Sequence, residues 1–139
     1  MKECRMGMYT ELFISCRLKN DPAIINVLKY MIGEIDEQPA LPDHNLFKLA
    51  DRWNFMLQCS SYYFVPRVVH LLEYDKIGDY WCFINRSDFK NYDNEVELFI
   101  NWIRPYLIDS DGDMFAYSRY EETKEPTIYY CNEEMTDNG

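Results

Sequence analysis

The run YTELFISCRL, Tyr9 to Leu18, alternates without a break. Leu12, Ile14, Cys16 and Leu18 fall on one side; Tyr9, Glu11, Phe13, Ser15 and Arg17 fall on the other. Period two is strand geometry, so the segment carries one apolar face that must be covered and one mixed face. The cover is written next. Asp21 before Pro22 is a helix start, and Ala23, Ile24, Val27, Leu28 and Met31 recur at helical spacing until Gly33 ends the helix. A second stripe, Val96, Phe99, Ile100 and Ile103, begins near Asp93 and stops at Pro105, whose ring disfavours a helical Arg104. Leu98 and Trp102 lie on the opposite side of that helix, where a two-layer domain offers them no partner.

The remaining segments read as strands and turns. EIDEQPALPDHN is a loop broken by Pro39 and Pro42, after which Trp53, Phe55, Leu57 and Cys59 alternate with polar or flexible neighbours as a second strand. VPRVVHLLEY and DYWCFINR form a hairpin around DKIG, with Gly78 supplying the turn. DMFAYSRYEE and TIYYC form a closing hairpin around TKEP. The order β-α-β-β-β-α-β-β predicts an α+β domain: a mainly antiparallel sheet with two helices on one face, a ferredoxin-like or split β-α-β variant with an extra hairpin. The 139 residues suit one domain, with residues 1–8 an N-terminal extension and 132–139 a loose acidic tail. Aromatic residues make up 17% of the chain, with 12 Tyr, which favours strands over a helical bundle.

Charge narrows the function. The net charge is −10, and from Asp109 onward nine carboxylates face only Arg119 and Lys124. Nucleic-acid phosphates need clustered Lys and Arg, so direct nucleic-acid binding is not expected. Cys4, Cys16, Cys59, Cys82 and Cys131 are an odd number without a CxxC pair. With no signal peptide or membrane-length apolar run, a reducing cytoplasm is the expected setting and no membrane is involved.

Catalytic patterns fail one by one. DSDGD spaces Asp109, Asp111 and Asp113 like a calcium loop, but the sixth and twelfth positions of such a loop would be Met114 and Tyr120 instead of Gly and Glu. His44 and His70 have no partners at metal or triad spacing, and Ser60-Ser61 lacks a nucleophile elbow. No metal, cofactor or catalytic residue is assigned. Tyr9 and Phe13, with one each of Tyr117/Tyr120 and Tyr129/Tyr130, should populate the sheet face that helices leave uncovered. Such a surface suits a protein partner, because Tyr and Trp dominate interface hot spots.

Several stretches together, MYTELFISCRLKND, LKYMIGE, SSYYF, RSDFKNYDNEVELFINWIRPYL and YEETKEPTIYYC, resemble a family of small uncharacterised proteins of bacteriophages and other bacterial mobile elements. The similarity runs from Met8 to about Asn132, and in the family the frame tends to begin at the methionine matching Met8. The resemblance implies a setting inside a bacterial host and carries no activity. It suggests an inhibitor of a host protein, such as a nucleic-acid-handling defence complex of the CRISPR kind, whose basic channel carboxylates could occupy. Glu121, Glu122, Glu125, Glu133 and Glu134 would make the contact, helped by Tyr129 and Tyr130. The alternative is a small-molecule pocket walled by Trp53, Trp81, Tyr62 and Tyr63. Leu98 with Trp102, or the uncovered sheet face, could also seal a homodimer.

Overall fold

The structure, a computed structural model, describes residues 9–61, 64, 67–109, 112–123 and 125–131. The expected extension 1–8 and tail 132–139 lie outside the described residues. In chain order the elements are β1 (Thr10–Lys19), α1 (Pro22–Met31), α2 (Asn45–Leu49), β2 (Val69–Asp75), β3 (Tyr80–Phe89), α3 (Glu95–Ile103) with a 3-10 turn at Arg104–Tyr106, β4 (Met114–Tyr120) and β5 (Thr127–Tyr130). The five strands form one antiparallel sheet in the order β2-β3-β1-β4-β5. β3 therefore lies between β1 and β2, and β1 lies between β3 and β4, so each β-α-β connection is split by a strand of the other. This is the expected α+β class, with five described strands instead of six.

One face of the sheet is the core. Leu12, Ile14, Cys16 and Leu18 join Phe83 of β3, the buried stripe of α1 and Val96, Phe99, Ile100 and Ile103 of α3 in a single apolar cluster. Each large side chain so buried contributes about 1.5–3 kcal/mol. The ends of α1 follow the sequence, whereas Arg104 stays helical at φ −55° and ψ −41° and leads into the 3-10 turn through Pro105. Asp21 accepts from the Ala23 amide at 3.1 Å with Pro22 behind it, and Gly33, at φ +86°, closes α1 with its amide on the Tyr30 carbonyl. At the β2–β3 turn the positive φ belongs to Asp79, not Gly78. Gly78 leaves room for the Tyr80 ring, which a Cβ at that position would press against.

Two expectations change. Residues 53–59 are not a strand. The amides of Trp53, Phe55 and Gln58 each bond the carbonyl three residues back, making successive tight turns. Burial follows that geometry: Trp53, Met56 and Leu57 are inside while Phe55 is 57% exposed. The turns are pinned to the sheet by the Asn85 side chain on the Leu57 carbonyl and by the Asp88 amide on the Cys59 carbonyl. Second, between that loop and these turns lies a helix the sequence did not show, α2, capped by His44 Nδ1 accepting from the Leu46 amide at 3.0 Å. Phe47 of α2 packs edge-on to Trp102 at 5.2 Å and to Trp53 at 4.8 Å. Trp102 thus finds its partner inside the chain and is unavailable for a dimer contact.

The far face of the sheet is not simply open. Phe13 and Tyr117 stack there at 5.5 Å, as expected, but beside them lies a buried ion network. Arg86 Nε donates to Glu11 Oε2 at 2.8 Å, its Nη1 lies 2.8 Å from Asp88 Oδ2, and Arg119 Nη2 reaches Glu11 Oε1 at 2.9 Å. Phe64 packs over both guanidiniums, and Arg86 also donates to the Arg67 carbonyl at 2.8 Å. Cross-strand register places Glu11 opposite both Asp88 and Arg119, so adjacent strands supply the whole cluster. Removing Arg86 would strand the buried Asp88 and leave Glu11 only the half-exposed Arg119. Arg86→Met is expected to destabilise the domain by about 3–5 kcal/mol in urea unfolding, whereas Arg119→Met, half exposed, should cost under about 1 kcal/mol. Equal effects of the two substitutions would contradict this account.

Candidate functional site

Alternation puts Ala116, Ser118 and Tyr120 of β4 and Thr127 and Tyr129 of β5 on the helix side of the sheet, with Thr10 paired to Tyr120. Apolar packing from α3 reaches Ala116 and Tyr129 but gives way to polar groups at Ser118 and Thr127. What remains between the start of α3 and the β4–β5 turn is a cleft of about 400 Å³. Seven of its eleven lining residues carry hydroxyls: Thr10, Ser118, Thr123 and Thr127, with Tyr92, Tyr120 and Tyr129. Two more, Glu97 and Glu125, are carboxylates, and Asn91 and Val96 complete the wall. Among the described residues the lining holds no Lys, Arg or His.

The floor is a hydrogen-bonded chain. The Tyr129 phenol donates to Glu97 Oε2 at 2.9 Å and lies 3.0 Å from Ser118 Oγ. A phenol has one proton, and the carboxylate takes it, so the Ser118 hydroxyl donates to the phenol oxygen. Glu97 belongs to the first turn of α3, where the helix amides favour a negative charge. Asn91 Oδ1 caps the same turn by accepting from the Val96 amide at 3.0 Å. Burial pushes the Tyr129 phenol far above its ordinary range; Ser118 works against this and the Glu97 charge adds to it. Tyr120 at the rim is raised too, first by desolvation and then by Glu122 and Glu121.

The turn beyond β4 is held in place. Tyr9 and Glu121 exchange two bonds: the Tyr9 amide donates to Glu121 Oε1 at 2.7 Å, and the Glu121 amide to the Tyr9 carbonyl at 3.1 Å. Glu122 and Glu125 are exposed beside the cleft. Of the acidic contact set read from sequence, Glu121, Glu122 and Glu125 therefore cluster at one place, while Glu133 and Glu134 lie outside the described residues. Tyr129 and Tyr130 cannot both belong to that surface, because adjacent strand residues point to opposite faces. Tyr129 is 2% exposed and serves as floor; Tyr130 is half-buried, and its carbonyl accepts from Arg104 Nε at 3.0 Å.

Of the four walls read for the alternative pocket, the structure describes Trp53 and Trp81. Trp53 is a core residue against Tyr30 and Phe47, and Trp81 packs on Tyr74 with Lys29 over its ring. Tyr62 and Tyr63 lie outside the described residues. Neither tryptophan lines the cleft. Asp109, first of the DSDGD aspartates, is committed to Arg17 through its side chain at 2.6 Å and the backbone amide at 3.0 Å. Among the described residues no three His, Cys, Asp or Glu side chains converge as metal ligands. Burial pushes the Cys16 thiol well up, with Asp109 and the neighbouring Cys131 and Cys82 adding to it, so its thiolate is disfavoured. No described helix is long and apolar enough to cross a membrane.

Glu97, Ser118 and Thr127 escape a reading by residue type. The available signal is positional: Ser118 and Thr127 are polar residues at inward positions of the closing hairpin, where apolar ones are expected. Comparison with protein-family models, with curated proteins and with solved structures finds no match.

Tyr129→Phe removes a phenol bonded to a carboxylate and should cost about 1–3 kcal/mol at pH 8. The pH dependence has a definite sign. A phenol held above its unfolded value of about 10 stabilises the fold below that pH, and the contribution is lost as pH rises past it, because only the unfolded chain releases the proton. The stability gap between wild type and Tyr129→Phe should therefore shrink from pH 8 to pH 11 in urea titrations; a gap that widens would refute the assignment.

Proposed function

We propose that this chain is a non-enzymatic binding protein whose acidic, tyrosine-rich surface around the cleft docks a basic region of a host protein and inhibits it. The observation that carries the reading is a charge imbalance. The cleft presents Glu97 and Glu125 among hydroxyls, without a cation in its described lining, and the exposed Glu122 extends the negative surface along the adjoining turn. On the far face of the sheet, by contrast, Glu11 and Asp88 meet Arg86 and Arg119, and Asp109 meets Arg17. Unmatched charge on a fixed surface favours oppositely charged partners and speeds their encounter. The resemblance to phage-encoded proteins points to a bacterial defence factor as the target, an anti-CRISPR type of role in which carboxylates occupy a channel for nucleic acid.

A second reading, a small-ligand binder, draws on the same cleft, whose volume of about 400 Å³ falls in the range of ligand pockets. Native mass spectrometry separates the two, since a retained metabolite on the purified chain supports the second.

The main reading is tested by reversing the two exposed rim charges, Glu122→Lys with Glu125→Lys. Capture of the host target should fall by about a hundredfold, and wild-type capture should weaken steeply between 50 and 300 mM salt, on the order expected for rim charges. Circular dichroism and Tm should stay as in wild type. Undiminished capture by the reversed protein would remove the reading.

A further inference from the structure

We infer that the cleft is a socket for a guanidinium group, supplied by an arginine side chain of the basic partner. The inference rests on the docking reading above and gives its chemistry. The cleft excludes two ligand classes at once. A wall with one aliphatic residue, Val96, offers little to an apolar side chain, and two carboxylates repel phosphates and carboxylates.

Between the two common cations the layout favours arginine. Its acceptors are dispersed: the exposed Glu97 of α3 is oriented by Tyr129, Glu125 stands on the rim, and the hydroxyls of Ser118 and Thr127 come from β4 and β5. An ammonium focuses three donors at one point and holds its water tightly. A guanidinium spreads five donors over a plane and gives up water more readily, so it can bridge acceptors on separate elements. Tyr92 and Tyr120 at the mouth supply ring faces against which that plane can stack. The chain already shows that Tyr92 accepts a cation, since Lys90 lies 5.9 Å from its ring centroid.

The cation nearest the floor does not fill the socket. Arg104 interacts electrostatically with Tyr129, but its Nε is bonded to the Tyr130 carbonyl at 3.0 Å and its guanidinium lies over Phe115. Glu97 therefore offers the cleft an exposed carboxylate whose position Tyr129 fixes.

The experiment is an amide-shift NMR titration of the full chain with Nα-acetyl-arginine amide, its uncharged isostere Nα-acetyl-citrulline amide, and Nα-acetyl-lysine amide. The arginine probe should give saturable shifts at Val96, Glu97, Ser118 and Thr127. Citrulline should bind about tenfold more weakly or worse, and lysine several-fold more weakly. Glu97→Gln, which keeps an acceptor for Tyr129, and Glu125→Gln on the exposed rim should each lower arginine affinity about five- to tenfold while leaving the remaining spectrum intact. Citrulline binding as tightly as arginine, shifts centred away from the cleft, or wild-type affinity in both variants would overturn the socket. If the probe fails while rim reversal still abolishes target capture, the socket falls and the docking surface stands. If the probe binds in the cleft while rim reversal leaves capture unchanged, the socket stands and the docking reading falls.

Discussion

Everything in this domain is built on a strand with no free edge. β1 pairs along all ten residues with β3 on one side and with β4 over Thr10–Ile14 on the other. Where β4 ends, the chain after α3 takes over: Leu18 bridges Leu107, and the Ile108 amide donates to the Arg17 carbonyl at 3.1 Å. A central strand buried on one face and charged on the other fixes its own register, because a slip of one residue would drive Glu11 and Arg17 into the apolar cluster. That register then fixes the rest. It places Glu11 between Asp88 and Arg119, and it sets Thr10 against Tyr120 at the mouth of the cleft.

Much of this was legible in the alternation and the helical stripes. Tyr9–Leu18, the β2–β3 hairpin, the closing hairpin and both longer helices fall where period and capping residues put them, because in each case one regular face is buried. The failures share a cause. At residues 53–59 the alternation grouped Phe55 with Trp53 and Leu57 and set Met56 on the other face, but consecutive tight turns bury Met56 and expose Phe55. α2 has only five residues, too few to show a stripe, and its cap is a histidine, outside the usual N-cap set. Without α2, Trp102 looked like an orphan. The cleft was half legible. Its rim glutamates stood out as charge, whereas Glu97 looked like any exposed residue of a helix, since its meaning comes from Tyr129, thirty-two positions away.

The net charge of −10 is thus not one property but two. On the far face of the sheet, carboxylates are buried with guanidiniums that neutralise them, and Phe64 shields the group from water. There the charges cost desolvation and return specificity of register, with little left to attract a partner. On the helix side, near β4 and β5, Glu97 accepts from the Tyr129 phenol and Glu125 stands exposed at the rim among hydroxyl-bearing residues. A uniform acidic coat would give solubility alone; this partition gives a direction.

That direction depends on how β5 is held. A four-residue edge strand has few ladder bonds of its own, and the turn before it would otherwise carry Glu122 and Glu125 on a loose hairpin tip. Two tethers from the α3 region prevent this. Glu97 accepts from Tyr129, and Arg104, at the helix end, donates to the carbonyl of Tyr130. The Cys131 amide on the Asp113 carbonyl closes the far end of the hairpin, and the Tyr9–Glu121 exchange closes the near end. A flexible acidic string would lose conformational entropy on binding a basic partner; an array already fixed at these points has lost it in folding. Glu97 therefore has two parts in one position: it fastens the edge strand to α3, and it is the anion that the fastened cleft presents.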